Sequence, residues 1–124
     1  MSPKLGSARG FTLIEAMVAI VILVVGVLGA ASLTAALMQS NRDATDRTRA
    51  LELVRHKVEQ IQSQGYYEVI TASDTRSVGG VTFTRSWAVT PDSPIAGLRD
   101  VQVSVSWTDQ DGTHTVTTRT LKGL

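Results

Sequence analysis

Phe11-Thr12-Leu13-Ile14-Glu15-Ala16-Met17-Val18-Ala19-Ile20-Val21-Ile22-Leu23-Val24-Val25-Gly26-Val27-Leu28-Gly29-Ala30 opens a stretch that reaches Met38 with a single charge, Glu15. From Ala16 to Asn41 no residue is charged. That run exceeds the roughly 20 residues a helix needs to cross a bilayer. Apolar residues fill every face from Phe11 to about Val27, the pattern of a helix surrounded by lipid or by other helices. A carboxylate in such a segment is costly, at about 2.5–3.5 kcal/mol at bilayer depth and less near the interface. Glu15 therefore needs a counter-charge, and the apolar run contains none. The remaining alternative is a carboxylate solvated at headgroup level, close to the polar end of the helix.

The rest of the chain is built differently. Of 124 residues, those beyond Ser40 are rich in Thr, Ser, Asp and Arg, enough for one small soluble domain. Such a domain is marginal in size and gains stability by docking onto a helix. The formal net charge is +1 from 12 Lys+Arg and 11 Asp+Glu, too small a bias to mark nucleic acid or acidic lipid as a general partner. Lys4 and Arg9 precede the apolar run; without them 12 − 2 = 10 cations face 11 acids, giving −1. Cysteine is absent, which excludes disulfides, thiolate metal sites and a cysteine nucleophile.

Three readings of the N-terminus compete. A plain single-pass anchor accounts for the length of the run. The short basic segment before it favours an N-inside orientation. A secretory signal cut near Leu28-Gly29-Ala30 is opposed by Glu15 inside the apolar region and by the length of that region. The third reading places a cut between Gly10 and Phe11. Gly10-Phe11-Thr12-Leu13-Ile14-Glu15 resembles the prepilin-peptidase site of type IV pilins and type II secretion pseudopilins. The matching elements are a short basic leader, glycine at the cut, phenylalanine as the new first residue, glutamate as the fifth, and a long apolar helix behind them.

The resemblance implies a 1–10 leader, N-methylation of Phe11, and a role for Glu15 in assembly. It is closest in kind to a PilV-like minor pilin or a GspI-like minor pseudopilin. The partners it implies are a prepilin peptidase/N-methyltransferase, other major and minor pilins or pseudopilins, an inner-membrane assembly platform and membrane lipid. No small-molecule substrate, metal or cofactor is implied, and the chain would not be an enzyme. The implied location is the bacterial inner membrane, N-terminus cytoplasmic and C-terminal domain periplasmic, and then a pilus or pseudopilus filament. A single-pass anchored periplasmic binding module outside any filament is the alternative.

Small residues cluster in the second half of the apolar run. Gly26-x-x-x-Ala30, with Gly29 beside it, fits the small-xxx-small spacing that lets helix backbones approach closely. Each glycine weakens the helix by about 1 kcal/mol relative to alanine.

Past Ser40 the pattern becomes amphipathic. Leu51, Val54, Val58 and Ile61 form a stripe, with Arg47, Arg49, Glu52, Arg55, Lys57 and Glu59 assigned to other faces. No proline or glycine interrupts residues 30–64, so one helix is predicted from about Phe11 to Gln64, ~80 Å at 1.5 Å per residue. A second helix starting at Asn41 or Asp43 is the alternative. Gly65 is a natural terminator.

After Gly65 the period becomes two. Tyr67–Thr71 reads as a short extended piece. Val81, Phe83, Trp87 and Val89 share one strand face, and Pro91-Asp92-Ser93-Pro94 breaks that strand. Val101, Val103, Val105 and Trp107 alternate with polar residues. Asp111-Gly112 signals a hairpin, and His114–Leu121 returns as a strand.

The predicted fold is therefore α+β and pilin-like. One long helix (11–40 membrane-spanning, 41–64 amphipathic) packs on a three-stranded antiparallel meander in 65–124. Trp87 and Trp107 are expected at the helix–sheet contact. Asp109-x-Asp111-Gly112 lacks the flanking ligands of a calcium loop, since Trp107 and Thr118 stand where Asp and Glu are needed. His56 and His114 are expected at the surface. Arg42, Arg47, Arg49, Arg55 and Lys57 are diluted by acids, so a solvated helix face is favoured over a phosphate track and nucleic acid is not expected as a partner. No nucleophile elbow, phosphate loop or dinucleotide fingerprint is present.

Overall fold

The computed structural model describes Pro3 and residues 10–124. The expected leader thus lies outside the described residues apart from Pro3 and Gly10. The chain divides into two compact units, Met1–Asn41 and Arg42–Leu124.

One helix, α1, runs Leu13–Ser63. Four strands follow: β1 Ala72–Val78, β2 Val81–Pro91, β3 Leu98–Asp109 and β4 Gly112–Gly123. They form one antiparallel sheet in the order β1-β2-β3-β4. The α+β arrangement is as the sequence indicates, with a helix packed on an antiparallel meander, but the meander has four strands and not three.

The missing strand is β1. Its sequence, Ala-Ser-Asp-Thr-Arg-Ser-Val, carries no apolar alternation. Its helix-facing positions include Asp74 and Arg76, which pair in register with Arg85 and Phe83. Charge replaces hydrophobicity on that face, so a search for alternating apolar residues passes over it. The extended piece expected at Tyr67–Thr71 is instead a short 3-10 turn at Tyr66–Glu68. Gly65 ends α1, but in an extended conformation (φ −65°, ψ 152°). Its amide donates to Glu68 Oε2 at 3.0 Å, so it caps the following turn.

The second unit has a core of Ala50, Val54, Ile61, Val69, Phe83, Val101, Val103, Val105 and Trp107, all buried. The helical stripe facing the sheet is Asp46, Ala50, Val54, Lys57 and Ile61. Leu51, assigned to the stripe from sequence, is exposed, and Lys57, assigned to an outer face, is buried. The sheet-facing line is set by the +4, +4, +3, +4 spacing of these residues, one position out of phase with Leu51. Arg85 likewise falls between Phe83 and Trp87 on the inner face of β2 and is 2% exposed. Trp107 is in the core as expected. Trp87 is half-buried beneath Lys57, whose Nζ lies 3.4 Å from the ring centroid.

The helix in this unit runs alongside β4. Asp43 and Arg47 line the same cavity as His114 and Val116. At the other end Gln62 Nε2 donates to Thr120 Oγ1 (2.6 Å) and to the Leu121 carbonyl (3.1 Å). His114 is half-exposed but not free. Its ring stacks on Trp107 at 5.4 Å and its Nε2 lies 2.9 Å from Asp109 Oδ2. The β3–β4 turn is held by Asp109, whose Oδ1 accepts from the amides of Asp111 (2.8 Å) and Gly112 (3.1 Å).

Candidate functional site: the start of the apolar helix

Gly10 and Phe11 precede the helix, exposed and without secondary structure. Thr12 is its N-cap. The Ala16 amide donates to the Thr12 carbonyl at 3.1 Å, the first helical bond, and the Glu15 amide donates to Thr12 Oγ1 at 3.2 Å. Thr12-x-x-Glu15 is the sequence pattern of a capping box. This is the signal that reading the sequence for apolarity alone passes over: Thr12 is a positioning residue. It fixes where the helix begins and so places Glu15 in the first turn. A carboxylate there also lies against the positive end of the helix dipole, worth roughly 0.3–1 kcal/mol. Among the described residues no cation pairs with Glu15.

Behind Glu15 every residue to Met38 is exposed. This is the part of α1 that is long and apolar enough to cross a membrane, and none of its most apolar window is buried inside the chain. Its polar side chains are satisfied internally: Ser32 Oγ donates to the Leu28 carbonyl and Thr34 Oγ1 to the Ala30 carbonyl, each at 3.0 Å. Bonds of this kind let hydroxyls sit in an apolar surrounding without an unmet donor.

Gly26, Gly29 and Ala30 fall on one helix face, at i, i+3 and i+4. A Cβ added at Gly26 or Gly29 would meet nothing within 4 Å, so neither glycine is required by a contact within the chain. At 3.6 residues per turn, Gly26 stands about three turns beyond Glu15 on nearly the same face. The acid and the small residues thus share one side of the helix.

Elsewhere the sheet carries two open hollows, about 410 Å³ around Thr82, Thr84 and Ser106 and about 460 Å³ around Ser73, Ser86 and Ser104, lined by no histidine, carboxylate or cation. The cavity between α1 and the β3–β4 turn, lined by Asp43, Arg47, Trp107, Asp109 and His114, measures about 160 Å³. That is below the roughly 300–1,000 Å³ of ordinary ligand sites. Among the described residues no group of three His, Asp or Glu is placed to hold a metal ion.

Residues 6–31 match the family model of the prokaryotic N-terminal methylation motif, the prepilin signal of type IV pilin-like proteins. The matched span contains Gly10, Phe11, Glu15, Gly26, Gly29 and Ala30. No curated protein matches the chain, and no solved structure does. The motif points to a structural subunit rather than an enzyme, and to a membrane-anchored protein that enters a filament with pilin-type partners. The matched residues support a type IV pilin-like protein processed by a prepilin peptidase.

Proposed function

We propose that the chain is a minor pilin-like subunit, cut between Gly10 and Phe11, N-methylated at Phe11, and assembled into, or priming or capping, a type IV pilus or type II secretion pseudopilus. The observation that carries this reading is the coincidence of the methylation motif with a capped helix start that holds Glu15 in the first turn of a charge-free apolar helix.

Cleavage after Gly10 would create a positive α-amine at Phe11, with an ordinary pKa near 8. In a stack of such helices the amine of one protomer meets Glu15 of its neighbour. Opposite charges about 4 Å apart at an effective dielectric of 20 attract by roughly 4 kcal/mol, comparable to the cost of placing the carboxylate in apolar surroundings. The same pairing sets the axial register. Gly26, Gly29 and Ala30, on the side that carries Glu15, provide the close helix approach. Before assembly the helix would anchor the chain in the inner membrane, with its N-terminus cytoplasmic and the sheet unit periplasmic, stored for an assembly platform and its ATPase.

Intact-mass measurement of the native protein tests the processing step. A methylated Phe11 terminus is expected; a retained Met1–Gly10 segment overturns it and favours the anchored binding module. Glu15→Val should leave cleavage intact and reduce incorporation into filaments, whereas Gly10→Val should block cleavage. Unimpaired incorporation of the Glu15 variant would remove the charge-pairing account.

A further inference from the structure

The two edges of the sheet differ in length and in charge, and each exposes a row of backbone groups. Across a two-residue turn the flanking pair exchanges hydrogen bonds, so residues two apart from it do so as well. In the β3–β4 hairpin that pair is Asp109–Gly112. The amides and carbonyls of His114, Val116 and Thr118 therefore face β3, while those of Thr113, Thr115 and Thr117 face the open side.

Two contacts agree with this phase. Thr108–Thr113 and Ser104–Thr117 join their hydroxyls at 3.1 and 3.0 Å, as the closer, non-bonded pairs allow. The Leu121 carbonyl, on the outward phase, is reached by Gln62 from the side. Gln62 and Lys122 cover the end of β4. The stretch from Gly112 to Thr118 is uncovered, free of Lys, Arg, Asp, Glu and proline, and in unbroken register. An edge of that kind is a template for another strand.

The opposite edge is β1, where the same reasoning from the Gly79-Gly80 turn leaves the backbone groups of Ser73, Thr75 and Ser77 facing outward. We propose that the open edge of β4 takes β1 of a second copy of this chain as an antiparallel neighbour, pairing Thr113 with Ser77, Thr115 with Thr75 and Thr117 with Ser73.

Three observations select this occupant. The uncovered part of β4 and the seven residues of β1 are of equal reach. The register places the partner copy's exposed Arg76 opposite His114, at the corner lined by Asp43, Asp109 and Arg47, where two carboxylates stand against one resident arginine. It also continues the hydroxyl rows of the outer face, where Ser73, Ser86, Ser104 and Thr117 are already aligned across the four strands, as are Thr75, Thr84, Ser106 and Thr115. Cross-strand Ser/Thr pairs favour such continuation.

The direction also fits. β1 and β4 run oppositely in the sheet, so a copy shifted sideways pairs antiparallel with its helix pointing the same way. Pairing β4 with β4 about a two-fold would instead set the helix segments of the two sheet units in opposite directions. The contact is heterologous and open-ended, so it propagates. It uses only residues of the second unit and stands whether or not the chain is cut at Gly10.

The absence of cysteine makes the test clean. Full-length Thr75→Cys and Thr115→Cys chains are co-produced in membranes and oxidised, and disulfide-linked peptides are identified by mass. Paired Cα atoms about 5.5 Å apart lie within bridging range. Within one copy the two positions are three strand spacings apart, roughly 14 Å, and cannot bridge. The mixture should give a 75–115 dimer, the double variant a ladder of multimers, and each single variant only monomer.

Thr115→Pro removes an amide that faces outward and costs no bond to β3. It should keep the tryptophan emission of the folded unit while abolishing a Ser73→Cys/Thr117→Cys bridge. Self-dimers of Thr115→Cys alone would replace the proposal with β4–β4 pairing. Folded chains that yield no 75–115 bridge, or a 73–117 bridge that Thr115→Pro leaves unchanged, would overturn it.

Discussion

Arg85 grips Asp74 across the β1–β2 pair, Nε 2.9 Å from one carboxylate oxygen and Nη2 2.5 Å from the other. A third donor, Nη1, reaches the Leu53 carbonyl of α1 at 3.3 Å. One side chain thus joins an edge strand, a central strand and the helix. Its geometry is the two-pronged pairing that suits guanidinium to carboxylate. Removing Asp74 leaves the buried Arg85 without its anion, and breaking such a pair costs about 3–5 kcal/mol. Asp74→Ala should therefore lower the unfolding midpoint of the sheet unit strongly, read by tryptophan fluorescence of the full chain in detergent. The double variant Asp74→Ala/Arg85→Met should be less destabilised than Asp74→Ala alone, because no buried charge is stranded. A double variant as unstable as the single one would show that the pair is not what fixes β1.

The same pair makes stability depend on acid. The hydrogen bonds from Arg85 hold the Asp74 carboxyl below its ordinary value, outweighing the upward push of burial, with the nearby positive charges of Arg85, Arg76 and Lys57 adding to the effect. A carboxyl whose folded pKa is depressed stabilises the fold fully above its unfolded pKa, about 4. That contribution is lost as pH falls through the folded value. Denaturant midpoints should fall steeply below about pH 4 in the wild type, and Asp74→Asn should flatten that limb. An unchanged acid limb in the Asn variant would assign the loss to other carboxylates.

Much of this architecture is readable from residue order. The charge-free run after Glu15 specifies the apolar helix, and the alternation of Val101, Val103, Val105 and Trp107 specifies β3, because burial there is purely hydrophobic. What escapes is the part built from charge. β1 has Asp74 and Arg76 where an apolar residue would announce an inner face, and Arg85 occupies the same phase as Phe83 and Trp87 on β2. Lys57 escapes for the same reason. It is three residues past Val54 and four before Ile61, yet a lysine is ordinarily assigned to solvent. The N-cap was available in Thr12-x-x-Glu15, since a local hydrogen bond needs only the right spacing. The exposed face with Gly26 and Gly29 meets nothing within the chain, so no internal contact of the fold accounts for its small residues.

Lys57 gives the opposite pH signature. Burial first, and the charge of Arg85 second, push its ammonium below the ordinary 10.5, against the pull of Asp74. With a depressed folded pKa, the cost of holding the cation is fully present below that folded value. It is relieved as pH rises from there towards the unfolded value. The wild type should therefore gain stability on the alkaline side, before other groups titrate. Lys57→Met, which keeps a long side chain over Trp87, should lack that gain and be at least as stable at neutral pH. If Lys57→Met were strongly destabilised at pH 7, the contact of the cation with Trp87 and its 3.2 Å bond to Gln60 would outweigh desolvation.

Gly79 tests the β1–β2 turn. It has φ +59°, and a Cβ there would collide with the guanidinium of Arg49. Left-handed backbone costs an ordinary residue about 1–2 kcal/mol. Gly79→Ala should lower stability by at least that, while Gly80→Ala, at φ +80° with nothing within 4 Å of the added carbon, should show the backbone cost alone. Equal losses at the two positions would mean that Arg49 moves aside freely.

Gly29 separates folding from assembly. An added side chain at this position meets nothing within the chain, and replacing a helical glycine gains up to about 1 kcal/mol of helix propensity. Gly29→Leu should consequently leave the melting of the sheet unit and the helix content in detergent unchanged or slightly raised. In a packed assembly the same leucine stands between backbones that the small face with Gly26 and Ala30 would otherwise bring together. Incorporation of Gly29→Leu into filaments, measured against wild type at equal membrane abundance, should drop, and Gly29→Ala should retain most of it. If the leucine variant assembles as well as wild type, that face points to lipid or solvent, and the side of the helix carrying Glu15 is not where neighbouring helices meet.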